Sequence, residues 1–110
     1  MQTDEVTAMA TDVMDKMTEL YRAQEADTAA VYALEDARAQ AISDGMYTGC
    51  KNAEEREAKA ATVLQEYIGA QRVTKAKVAY AKLQLDRAQM NWDRVRYTVR
   101  LLEVKESYRA

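Results

Sequence analysis

From Val6 onward, apolar side chains recur in steps of four and three. The row runs Val6, Ala10, Val13, Met17 and Leu20, then Val31, Leu34 and Ala41, with a polar interruption at Gln24 and Asp27. This alternation keeps the positions on one helical face, as in a coiled-coil seam. Asp4 and Glu5 fall in the first turn, where the helix dipole favours negative charge. Asp44-Gly45, followed by Gly49, is a turn signal. The pattern predicts a first helix over 3–43 and a loop over 44–51.

A second helix start is marked by Asn52, whose side chain can accept from the free amides of the next turn, with Glu55 three residues on as in a capping box. Ala53, Ala60, Leu64, Tyr67 and Ile68 continue as an amphipathic segment up to Gly69. At 1.5 Å per residue, an unbroken helix over 52–108 would be about 85 Å long, against about 60 Å for the first helix. A break near Gly69 leaves a helix over 71–108 of about 57 Å, which matches the first. The expected order is therefore long, short, long, with helix 2 over 52–68 and helix 3 over 71–108.

Helix 3 carries two apolar stripes. One holds Val78, Ala81, Leu85, Ala88, Trp92, Val95, Val99 and Leu102; the other holds Leu83, Met90, Tyr97, Leu101, Val104 and Tyr108. At 100° per residue the two are centred on nearly opposite sides, so helix 3 should lie between two partners. Antiparallel pairing of helices 1 and 3 at matched ends sets opposed residue numbers to sum to about 114. That register brings Asp27 towards Arg87, and an Asp27–Arg87 or Asp27–Arg94 contact is expected to fix it.

Composition narrows the class further. The chain has 110 residues, no proline, histidine or phenylalanine, and three glycines. Good helix formers dominate, so an all-α single domain over 1–110 is expected: a coiled-coil-like antiparallel hairpin with a short bridging helix. Residues 1–49 carry three basic against ten acidic side chains, and residues 50–110 thirteen against eight. Oppositely charged helical segments are invited to pair. The single Cys50 excludes an internal disulfide, no apolar run is long enough to cross a bilayer, and the acidic start is unlike a signal peptide. A cytoplasmic protein without membrane contact is expected.

Candidate chemistry is sparse. Without histidine there is no usual general base, no Ser–His or Cys–His pair and no imidazole metal site. Glu54, Glu55 and Glu57 sit where a helix start favours acids, and Cys50 has no neighbouring base. No catalytic residue, metal or cofactor is expected. Two binding classes remain. The second stripe of helix 3 (Leu83, Met90, Tyr97, Leu101, Tyr108) combines groups suited to a protein interface, with a second copy or another protein as partner. Helix 2, about 24 Å long, cannot cover it. The alternative is nucleic acid, bound by Arg94, Arg96 and Arg100 with Trp92 for stacking, although acidic helix 1 would offset that field.

The stretch Gly49-Cys50-Lys51-Asn52-Ala53-Glu54-Glu55-Arg56-Glu57-Ala58 resembles a segment of small helical proteins of tailed phages and prophages. Those read Gly-Lys-Asn-Ala-Glu-Glu-Arg-x-Ala before a long alanine-rich last helix; here Cys50 is inserted between the glycine and the lysine. The likeness covers roughly residues 49–102. It implies a phage accessory of the kind that accompanies replication and single-strand recombination genes, mostly without an assigned activity. Taken together with the apolar face of helix 3, the expected function is protein–protein binding in the host cytoplasm, including inhibition of a host or defence protein. Accessories of phage replication or recombination that bind nucleic acid, and virion assembly components, are the alternatives.

Overall fold

The computed structural model describes residues 3–109. Three α-helices follow in order: α1 (Thr3–Ser43), α2 (Ala53–Val63) and α3 (Gln65–Arg109), with no strand among the described residues. The fold is an all-α helical hairpin in which α1 packs against α3. Packing divides into two compact units, Met1–Arg22 with Ala79–Ala110 and Ala23–Val78. The first joins the start of α1 to the end of α3, and the second joins the end of α1 to α2 and the start of α3. The pairing is thus antiparallel.

In the first unit the buried side chains are Val13, Ala81, Ala88 and Val95. Val6, Leu20, Leu85, Trp92 and Val99 are half-buried around them. On α3 both sets repeat every seven residues, the spacing of a left-handed two-helix seam. Alanines at 81 and 88 let the helix axes approach closely. Met17, expected in this seam, is exposed, and Lys16 takes the half-buried place. The Lys16 stem covers apolar surface while its ammonium pairs with Glu19 at 3.5 Å.

The second unit is built around Leu64, 2% exposed, and Met46. Ala33, Ala37 and Ala41, one helical turn apart on α1, line a shallow cleft together with Leu64. Further along, Thr74 Oγ1 donates to Asp27 Oδ1 at 2.8 Å. This corrects the expected register. Thr74, thirteen positions before Arg87, stands at the Asp27 carboxylate, and Asp27 makes no ion pair with Arg87 or Arg94. The seam follows its seven-residue spacing and the packing of Leu64 rather than matching helix ends.

The turn after α1 is closed by backbone geometry. Gly45 has φ 90°, its N–H donates to the Ile42 carbonyl, and the Met46 N–H reaches back to the Ala41 carbonyl. This is a Schellman cap, with Met46 supplying the apolar contact that accompanies such caps. Asn52 then caps α2: its Oδ1 accepts from the Glu55 N–H at 2.9 Å. The Glu55 carboxylate reaches one residue further back than in a standard capping box, accepting from the Lys51 N–H at 2.6 Å.

The break between α2 and α3 lies at Leu64, not at Gly69, so helix 2 ends five residues earlier than expected and helix 3 starts six residues earlier. Leu64 has φ −101° and ψ 12°, away from helical values, yet its N–H still donates to the Ala60 carbonyl and its carbonyl accepts from the Ile68 N–H. A one-residue bend places this side chain in the core. Gly69 continues α3 with open space where a Cβ would stand.

Candidate protein-binding face on α3

The inner seam of the first unit uses positions 81, 85, 88, 92, 95 and 99 of α3. Tyr80, Leu83, Arg87, Met90, Arg94, Tyr97, Leu101, Val104 and Tyr108 follow one another in strict alternation of three and four residues on the opposite side. All nine are exposed. Met90 is 70% exposed, Tyr97 66% and Tyr108 88%, values that place whole side chains in water. The five residues expected for partner binding, Leu83, Met90, Tyr97, Leu101 and Tyr108, therefore share one row. Tyr80 joins them, as do two arginines; the unbroken three-and-four spacing back to Tyr80 was the signal that could have found them.

Within the row, Arg94 Nη2 donates to Asn91 Oδ1 at 2.7 Å. The Arg87 side chain has no hydrogen-bond or ion-pair partner among the described residues. Asp86 and Asp93 border the row one residue ahead of these arginines, and Arg100 borders it further on. Asp93 pairs with Arg96 at 3.3 Å across an exposed turn. None of the residues of α2 belongs to the unit that carries this face.

The four residues of the nucleic-acid alternative do not form one surface. Trp92 is half-buried in the inner seam, where it lines a cleft of about 220 Å³ with Val6, Arg96 and Arg100. Arg94 belongs to the outer row. Trp92 thus shares its cleft with Arg96 and Arg100 as well as with Val6 and Val95.

Other groups are accounted for by local structure. Glu55 is occupied in the cap of α2, and Cys50 is a half-buried free thiol whose N–H closes a turn onto the Tyr47 carbonyl. Among the described residues no three His, Cys, Asp or Glu side chains are grouped to hold a metal ion, and no helix is long and apolar enough to cross a membrane. No protein-family model, curated protein or solved structure matches this chain.

Proposed function

We propose that this chain is a non-enzymatic binding protein that acts through the outer face of α3, docking on the surface of another protein molecule. The observation that carries the reading is the row of large apolar side chains, Leu83, Met90, Tyr97, Leu101 and Tyr108, left in water on the side of α3 opposite its packed seam. Each large side chain moved from water into an interface contributes about 1–2 kcal/mol. A continuous row of this kind marks an interaction site. Aromatic, methionine and arginine side chains, the types enriched at interfaces, make up most of it. The phage setting that the Gly49–Ala58 segment resembles suits a small accessory protein that works by binding, including binding to a host or defence protein in the cytoplasm.

The test is sedimentation equilibrium at low and high salt, with and without a short single-stranded oligonucleotide, on the native chain and on Met90→Lys/Tyr97→Lys. The double variant should keep native helicity and, at concentrations too low for association, the native melting temperature, because the face is not part of the packed seam. The oligonucleotide should add no mass. Mass gained with oligonucleotide at low salt and lost at high salt would replace this reading with nucleic-acid binding through Arg96 and Arg100.

A further inference from the structure

We infer that the occupant of the outer face of α3 is a second copy of the same face, lying antiparallel, with Leu83 of each copy against Leu101 of the other. The inference rests on the protein-binding reading above and identifies the partner. Its basis is the order of charged and apolar side chains along the row. A parallel pair would stack identical positions, placing Arg87 on Arg87 and Arg94 on Arg94 in adjacent layers at the centre of the interface. Like charges so placed oppose association. An antiparallel pair centred on position 92 removes both clashes.

In that arrangement Leu83 meets Leu101 of the second copy, Tyr80 meets Val104, and Met90 meets the stem of Arg94. Arg87, whose side chain has no hydrogen-bond or ion-pair partner among the described residues, meets the Tyr97 ring, a face that attracts a guanidinium. The bordering positions agree. Asp86 of each copy faces Arg100 of the other, giving two opposite-charge contacts, and Asn91 faces its own counterpart as an uncharged amide pair. Two like-charged appositions remain: Asp93 with Asp93 of the second copy, offset by the Arg96 that each aspartate already holds, and Lys77 with Lys105 at each end of the row.

From Tyr80 to Val104 the row is about 36 Å long, and one helix is about 12 Å wide. Each copy would bury about 400 Å², less than the standard protein interface, so a reversible dimer of micromolar affinity is expected.

Sedimentation equilibrium of the full chain should show a monomer–dimer equilibrium, abolished by Met90→Lys/Tyr97→Lys. Arg100→Asp should weaken the dimer at least tenfold, and Asp86→Arg/Arg100→Asp should restore it. Orientation is read in a Cys50→Ser background with a short bis-maleimide. Leu83→Cys chains mixed with Leu101→Cys chains should cross-link to each other, and neither alone to itself. Self-cross-linking of Leu83→Cys would establish a parallel pair and overturn the inference. A chain that stays monomeric at about 1 mM, a hundredfold or more above a micromolar Kd, would also overturn it, while leaving the face available to a different protein. Mass gained only with an oligonucleotide would overturn both this inference and the reading beneath it.

Discussion

The hydrogen bond between Thr74 and Asp27 makes an asymmetric prediction. The Thr74 hydroxyl has one proton and two acceptors in reach, Asp27 Oδ1 at 2.8 Å and the Gln71 carbonyl at 2.9 Å. Thr74→Val keeps the shape but removes the donor, leaving a half-buried carboxylate in the seam with no protein hydrogen bond. A hydrogen bond to an ionised group contributes about 1.5–3 kcal/mol. Because Asp27 is only half-buried, water replaces part of it, and the expected loss is about 1–2 kcal/mol. In a chain of this size that lowers the melting temperature by about 4–8 °C. Asp27→Leu is different. The hydroxyl keeps its Gln71 acceptor, no charge is left unpaired, and an apolar group joins the seam, so stability should change by less than about 0.5 kcal/mol or rise. The double variant Asp27→Leu/Thr74→Val should be at least as stable as the native chain, since replacing both partners leaves nothing unsatisfied. Urea unfolding followed by far-ultraviolet circular dichroism, at low protein concentration, measures all four corners of the cycle. If Thr74→Val were neutral, or milder than Asp27→Leu, the pair would not be what holds the polar layer.

Two further predictions rest on the helix joins. Leu64→Ala removes the most deeply buried large side chain among the described residues and should cost about 2–4 kcal/mol, read from the same unfolding curves; a loss below about 1 kcal/mol would mean the bend collapses around the cavity. The glycines should respond with opposite signs. Gly69→Ala, in mid-helix with free space, should stabilise by up to about 1 kcal/mol. Gly45→Ala, at φ 90° with Thr48 Oγ1 3.0 Å from the new Cβ, should destabilise by about 1–2 kcal/mol.

The bounds of α1 were readable because its seam and its terminating Asp44-Gly45 are local signals, and Asn52 announces α2 in the same way. The α2–α3 join was not. Gly69 is a poor helix former and Leu64 a good one, so local propensity points to the wrong residue. The bend is imposed by the burial of Leu64 beside Ala33, Ala37 and Ala41, residues more than twenty positions away. Register failed for a related reason, since matching helix lengths ignores that Leu64 lies exactly seven residues before Gln71 and fourteen before Val78, on the seam itself. The preference for Lys16 over Met17 follows from the same repeat, which side-chain polarity obscures. The outer row of α3 was legible in its apolar members, whereas the place of Arg87 and Arg94 within it emerged only from the spacing of the whole row.

The capped turn at Gly45 and Asn52 has a consequence for the order of events during folding. Ala41 and Leu64, which line one cleft, are about twenty residues apart in sequence, whereas Val6 and Val95, which line another, are about ninety apart. Each doubling of the closed loop adds about 0.6 kcal/mol of entropic opposition, so the long-range contacts start roughly 1.3 kcal/mol behind. The Ala23–Val78 unit should therefore assemble first, from a nucleus pre-shaped by the two caps, and the Met1–Arg22 and Ala79–Ala110 arms should zip afterwards. Substitutions near the turn would then slow folding, and equal losses at Val13 or Val95 would chiefly speed unfolding. The outer row beyond Tyr80 lies on the late-closing arms, so the face proposed for docking is completed last.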